Sequence, residues 1–259
     1  MWALIPLKSF VNAKQRLSSV LSDDERSGLF LAMVNDVLSV LSTHPDIDNI
    51  LIVSDDSDVE QLAQHYAAQW VTEKQLGVTG LNQAIKSGVD YLAERDVDEV
   101  LVIHGDLPLL SAIELSHLIS THEYNGFIVS QSTERTGVSS VITLAPDRHN
   151  EGTNGLICST HSDFNFAYGE DSFTQHKLWA EENGMGVQIV NLPGLGADID
   201  KPDDLLMLVQ RASERNATCS YHFIKEKQLA DRIMNAVDDQ SLLVKAGQLA
   251  ADANYSWGR

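Results

Sequence analysis

The sequence predicts an α/β protein built on a mostly parallel but mixed sheet, followed by a helical C-terminal extension. Three observations carry that expectation. Short apolar runs alternate with longer amphipathic stretches, the order produced when strands are joined through crossover helices. The run "EVLVIHGD" (99–106) is apolar until its polar end, as suits a central strand covered on both faces. From Arg211 onward no strand pattern recurs, and seven Lys and Arg stand against six Asp and Glu, so the body carries the acidity of a chain with formal net charge −19. The expected division is an α/β body over 1–210 and a helical extension over 211–259.

Taken in order, "WALIPL" (2–7) reads as the first strand. Ser22 with Glu25 three residues later forms a capping box, and Leu29, Phe30, Met33, Val34, Val37, Leu38 and Leu41 follow at helical spacing. "NILIVS" (49–54) is the second strand, with a helix expected over about 56–69. "TGLNQAI" (79–85) starts another helix, and Ser111 with Glu114 caps the one after the central strand. "GFIVSQS" (126–132) and "SSVITL" (139–144) read as strands with no long crossover between them, so part of the sheet is expected to be antiparallel. "VQIVNL" (187–192) adds a strand and "KPDDLLMLVQ" (201–210) a helix. Two helical stretches, 221–236 and 239–252, fill the extension.

Composition excludes several classes. With 18 Lys and Arg against 37 Asp and Glu, the chain lacks the broad positive face that nucleic acid requires. Cys158 and Cys219 match no metal or disulfide spacing, which fits a reducing cytoplasm. No apolar stretch reaches the roughly 18 residues of a membrane span, and the charged-then-apolar order of a signal peptide is missing. A soluble cytoplasmic protein is expected. There is no G-x-x-x-x-G-K-[ST] loop, no G-x-G-x-x-G after the first strand, no H-E-x-x-H and no G-x-S-x-G.

The positive signals are local. Lys8, Lys14 and Arg16 leave the first strand with no acid before Asp23. Ligands of open α/β sheets sit beyond the carboxyl ends of the strands, so these cations suit a polyphosphate, although a solvated basic loop has the same composition. Asp106 ends the central strand, where a carboxylate can hold Mg²⁺; a turn-forming Asp before Leu-Pro looks alike. "GADID" offers partners, Asp198 first and Asp200 in reserve, since Asp200 equally suits a helix cap. Asp55 and Asp56 compete for the metal but are explained by capping. Ser172 with Gln175 is a capping box preceded by Gly169, and a helix N-terminus with a free hydroxyl also makes an anion site. Thr153 can add a hydroxyl to the same anion or simply sit in a polar turn. Gly80 permits close backbone approach, and Asn82 either reads a base or ribose or is an exposed first-turn residue. His104 and His149 lie near these positions and read as structural.

In order, "IPLKSFVNAKQRL", "LSDDERSGLFLAMVNDVL", "IVSDD", "GLNQAI", "GDLPLL", "PDRHNEGTNGL", "FAYGEDSFTQH" and "DIDKPDDL" resemble the guanylyltransferases of deazaflavin (F-420) coenzyme biosynthesis, over about residues 3–208. That resemblance implies a three-layer α/β sandwich with the GT-A-like nucleotidyltransferase fold. It implies GTP as donor and a small phosphorylated three-carbon acid as acceptor: 2-phospholactate, phosphoenolpyruvate or 3-phosphoglycerate. It places Lys8 on phosphate, Thr153, Gly169 and Ser172 on the acid, and Asp106 and Asp198 on Mg²⁺. Glu170 stands where the family often has proline, and the tail beyond residue 210 exceeds the family core. Two other readings remain at this point. One keeps the fold and acts on a sugar phosphate or molybdopterin; the other is a non-catalytic nucleotide-binding scaffold. A homodimer through the near-neutral tail is a further expectation.

Overall fold

The computed structural model describes residues 1–136, 140–215 and 218–236. Seven strands form one sheet: β1 (Trp2–Pro6), β2 (Asn49–Val53), β3 (Gln69–Val71), β4 (Glu99–Ile103), β5 (Val141–Pro146), β6 (Thr153–Ser159) and β7 (Gly186–Ile189). Their spatial order is β3-β2-β1-β4-β6-β5-β7. β1 pairs parallel with β2 and β4, β2 with β3, and β5 with β7, while β6 runs antiparallel to both neighbours. Helices α1 (Asp23–Thr43), α2 (Asp58–His65), α3 (Glu73–Leu76), α4 (Leu81–Ala93), α5 (Ala112–Thr136), α6 (Ser172–Glu182), α7 (Pro202–Arg215) and α8 (Cys219–Glu226) complete the chain, with a last helical segment over 230–236.

Strand alternation divides the core into two layers. Ala3, Ile5, Leu101 and Ile103 point to the layer that holds Leu29, Met33 and Leu38 of α1 and Leu205 and Leu208 of α7. Leu4, Val100 and Val102 point the other way, to Ile85 and Leu92 of α4 and Ala180 of α6. The result is the three-layer sandwich. Ile224, Leu229 and Ile233 of the tail join the first layer, so this part of the extension packs into the body. The Asp36 carboxylate fixes it there, accepting from the backbone N–H of Cys219 (2.5 Å) and Ser220 (3.0 Å) at the start of α8.

The capping box at Ser22 and Glu25 is present at the start of α1. Three expectations are corrected. "GFIVSQS" is not a strand; it continues α5, leaving Phe127 and Ile128 exposed. The antiparallel partner of β4 comes instead from Thr153–Ser159, whose burial is unbroken over six residues although the run begins Thr-Asn-Gly. The second helix ends at His65, where Ala67 takes a left-handed conformation (φ 52°), and Gln69–Val71 becomes an edge strand. The first expected tail helix is broken between α8 and 230–236, and the second, 239–252, lies outside the described residues.

Candidate active site

The carboxyl ends of β1 and β4 lie side by side, and the chain leaving each builds the same cleft. It holds about 420 Å³ and is lined by Lys8, Lys14 and Arg16 from the loop after β1, by His104 and Asp106 after β4, and by Asp200 before α7. Two short 3₁₀ turns, Phe10–Asn12 and Gln15–Leu17, shape the first loop by burying Phe10 and Leu17. Lys14 sits between them in the left-handed region, φ 53°. That rare backbone conformation turns its side chain inward. The Asp56 carboxylate steadies the loop by accepting from the Phe10 N–H (2.8 Å), and Asp55 accepts from the Lys74 N–H (3.3 Å), so this acidic pair fastens loops.

Lys14 is the electrostatic centre. Its ammonium donates to the Asp106 carboxylate and, at 2.5 Å, to Asp200, while lying 5.8 Å from the centre of the Phe30 ring. Burial opposes the charge, but the two carboxylates outweigh it and the lysine pKa is raised. Burial likewise pushes the Asp106 carboxyl upward; the Lys14 charge overrides it, and the net shift is downward. Arg16 stands 3.8 Å from Asp200 and is mostly exposed, and Lys8 has no ion-pair partner among the described residues.

Asp198 lies behind this group, accepting from Asn154 Nδ2 at 3.1 Å. Burial, then the nearby charges of Asp106 and Asp200, push its carboxyl up to about 6. Lys14 thus neutralises two of the three carboxylates directly and leaves Asp198 uncompensated. Asp106 Oδ1 is buried with no hydrogen-bond partner. Among the described residues no three His, Cys, Asp or Glu side chains are grouped closely enough to hold a metal by themselves. An orphaned carboxylate oxygen beside a second under-compensated carboxylate fits Mg²⁺, which takes one or two protein carboxylates and completes its shell with water and phosphate.

The second group of expected residues is brought together elsewhere. Ser172 opens α6 and does not cap it: Asp171 occupies the cap position, and the Ser172 hydroxyl accepts from the Thr153 N–H at 3.0 Å. Both side chains are buried. The Ala167 N–H donates to His176 Nε2 (2.8 Å), which places the ring proton on Nδ1, facing Thr153 Oγ1 at 3.0 Å. Burial, with the nearby His104 charge, lowers His176 to about 4, in keeping with this neutral tautomer. Gly169, at φ 140°, has nothing within 4 Å of the space a Cβ would take, leaving its backbone open to close approach. The His104 and Tyr168 rings meet edge to face, 5.0 Å apart, and join this loop to the cleft.

Asn82 and Gly80 both lie at the start of α4. Asn82 is half-buried: its amide donates to the Tyr168 carbonyl (3.0 Å) and accepts from the Tyr168 N–H (2.7 Å), clamping the 165–169 loop to α4. Gly80 begins α4 at φ 99°, donating to Glu73 at 2.9 Å, and Leu81 reaches the cleft wall. Phe30 and Gln15 line the cleft without having been singled out. Phe30 is indistinguishable by spacing from the core residues of α1, and only its position opposite the cationic loop would have marked it.

The mixed sheet thus sets an acid at the end of its central strand beside cations that follow its first. A cytidylyltransferase from Leptospira borgpetersenii shares the fold, with a TM-score of 0.54 at 12% identity over 90% of this chain and 96% of that one. Glucosyl-3-phosphoglycerate synthase from Mycobacterium tuberculosis, solved with Mg²⁺ and UDP, aligns at 0.51 and 15% identity over 81% and 74%. The chain belongs to the family described as guanylyl transferase CofC like, whose model matches residues 1–240. That span includes α8 and 230–236, so this part of the tail falls within the family match, contrary to the expectation that the family core ends near residue 210. Relatives include the phosphoenolpyruvate guanylyltransferase of Conexibacter woesei (32% identity, 85% of this chain and 92% of the relative). They also include the 2-phospho-L-lactate guanylyltransferase of Methanothermobacter thermautotrophicus (32%, 78% and 81%) and the 3-phospho-D-glycerate guanylyltransferase of Colwellia psychrerythraea (30%, 83% and 96%). No helix among the described residues is long and apolar enough to cross a membrane.

Proposed function

We propose that this protein transfers GMP from GTP to the phosphate of a small phosphorylated three-carbon acid, releasing pyrophosphate, as a step of coenzyme F-420 biosynthesis. The observation that carries the reading is the convergence of Lys8, Lys14, Arg16, Asp106 and Asp200 on one cleft, with Asp198 just behind it. A phosphomonoester with a second pKa near ~6 is largely dianionic at neutral pH, so it attacks the α-phosphorus without a general base. No Ser-His or Cys-His pair is needed.

What the chain must supply is alignment of two anions and relief of their repulsion. Lys8, Lys14 and Arg16 neutralise the triphosphate and the departing pyrophosphate. Asp106 and Asp198, with Asp200 beside them, would hold Mg²⁺, which when bound would supply Lewis-acid polarisation of the phosphoryl oxygens. Thr153, Gly169 and Ser172 form the acceptor end. Because the two hydroxyls are buried and bonded within the fold, they act chiefly by shaping the loop whose open backbone at Gly169 meets the acid. Asn82 and Gly80 serve the nucleotide side by setting the start of α4 against that loop.

The test is pyrophosphate release with GTP, Mg²⁺ and each of 2-phospholactate, phosphoenolpyruvate and 3-phosphoglycerate, with the product identified by mass. A competition among the three acids then assigns the acceptor. Release that needs both GTP and one of these acids is expected, and no release with any of them would refute the proposal.

A further inference from the structure

Behind the cleft, on the side away from Lys14, lies an ion pair that the proposed chemistry does not touch. Asp204, on the first turn of α7, is 5% exposed. Its Oδ2 accepts from the backbone N–H groups of Asp200 (2.9 Å) and Lys201 (2.7 Å), and its Oδ1 pairs with the Arg148 guanidinium. Arg148 follows β5 and is itself fixed: its backbone N–H donates to the Gly196 carbonyl (2.9 Å) and its Nε to His149 Nε2 (2.9 Å). The turn bearing Asp198 and Asp200 is therefore pinned along its length. Arg148 holds it at Gly196, the Ile199 N–H donates to the Asp106 carbonyl at 3.2 Å, and Asp204 holds residues 200 and 201.

Electrostatics explains why the pinning requires an arginine. Asp106, Asp198 and Asp200 gather three carboxylates at one corner, and Asp204, bonded to the Asp200 and Lys201 N–H groups, adds a fourth. Lys14 and Arg16 compensate from the cleft side; Arg148 does so from the α7 side. Arg148 gives one guanidinium nitrogen to Asp204 and the others to His149 Nε2 (2.9 Å) and Met207 Sδ (3.3 Å), so the charge it offers is itself held in place.

We propose that Arg148 and Asp204 are positioning residues for the metal site: through the backbone of Asp200 and Lys201 they hold Asp198 and Asp200 toward Asp106 and thereby set its cation affinity. This rests on the assignment of Mg²⁺ to these carboxylates under the proposed function. Partners one step removed from metal ligands affect affinity by about 10- to 100-fold in other proteins, and the same range is expected here.

Binding of Mn²⁺ to the full-length, nucleotide-free protein, followed through the electron paramagnetic resonance signal of the free ion, tests the proposal. Arg148→Met and Asp204→Ala are each expected to weaken binding by about tenfold or more. The double variant is expected to bind no more weakly than Asp204→Ala, because Arg148 acts through Asp204. Arg148→Lys should recover part of the loss. Asp204→Asn keeps an oxygen for both backbone N–H groups, serves if Asp204→Ala does not fold, and should lose less. Thermal unfolding without metal accompanies each titration, since a merely structural role moves that midpoint and leaves the dissociation constant in place. Wild-type binding with both single variants within twofold of it overturns this inference alone, as does a double variant weakened by the product of the two single effects. Absence of Mn²⁺ binding by the wild type overturns the metal assignment, and this inference with it.

Discussion

Replacing Lys14 with methionine keeps a linear side chain of similar length and deletes the charge on which the site is centred. The Lys14 side chain is 7% exposed, that of Asp106 19% and that of Asp200 41%. The Asp106 pair is therefore shielded, whereas water already compensates much of the Asp200 pair. Removing one member of a buried ion pair costs about 3–5 kcal/mol, and the exposed limb adds little, so a loss of about 3 kcal/mol at pH 8 is expected. For a chain of this size that lowers the unfolding midpoint by roughly 6–12 °C. The sign with pH follows from Asp106. In the wild type its net shift is downward, so its contribution to stability is present above the unfolded carboxyl pKa and falls away as pH drops through the folded value. Without Lys14, burial raises that carboxyl, and protonation at pH 5 relieves the cost. The variant's deficit should thus shrink between pH 8 and pH 5, and Mg²⁺ at pH 8 should restore part of it by supplying the missing positive charge. Differential scanning calorimetry at both pH values, with and without Mg²⁺, measures this. A deficit equal at pH 5 and pH 8, or no deficit, would refute the assignment of Lys14 as the counter-ion of Asp106.

Further outcomes follow from the same contacts. Asp106→Asn should reduce pyrophosphate release to background while the far-ultraviolet circular dichroism stays that of the wild type, because Oδ1 bonds to nothing in the fold and Lys14 keeps a second carboxylate, Asp200, when the charge at Oδ2 is lost. Asp198, raised to about 6, should stabilise the metal-free protein fully below the unfolded value of 3.8 and lose that contribution as pH rises through about 6; urea midpoints from pH 4 to 7 should show the slope, and Asp198→Asn should remove it. Asp36→Ala strips the acceptor from the Cys219 and Ser220 N–H groups and the Ser220 hydroxyl, at a cost of about 1–2 kcal/mol in urea unfolding.

In the parallel half β1, β2 and β4 were legible in the sequence because they are continuous apolar runs set off by well-capped helices, whereas the short edge strand β3 was not. In the other half β5 and β7 were legible as "SSVITL" and "VQIVNL", but β6, which runs antiparallel to both its neighbours, was not. Thr153, Asn154 and Gly155 open β6 with residues that signal a turn, and they are tolerated in a central strand because the Thr153 hydroxyl and the Asn154 amide find partners in His176, Leu195 and Asp198. "GFIVSQS" misled for the converse reason: its β-branched and aromatic residues suit a strand, but a helix already propagating from Ser111 continues more cheaply than a new strand nucleates. In the site, side-chain type announced charge but not partnership. Lys14 meets acids 92 and 186 residues away, which no local pattern encodes, while the absence of nearby acids did mark the loop as cationic. Asn82 and Ser172 show the limit of such reading, because an amide or hydroxyl suited to a ligand is equally suited to a backbone N–H.

The charge arrangement explains how so acidic a protein accommodates two anions. Lys8, Lys14 and Arg16 equal Asp106, Asp198 and Asp200 in number, so the formal charges of the site residues balance. A triphosphate and a phosphomonoester bring several further negative charges, which the three cations cannot neutralise while Lys14 is held by two carboxylates. Under the proposed function, a divalent ion held by Asp106 and Asp198 would supply the missing positive charge, with Lys14 left to the phosphates as its carboxylates are compensated. The acidic surround repels anions elsewhere on the surface, so the cluster of Lys8, Lys14 and Arg16 makes this cleft the place where binding them is favourable.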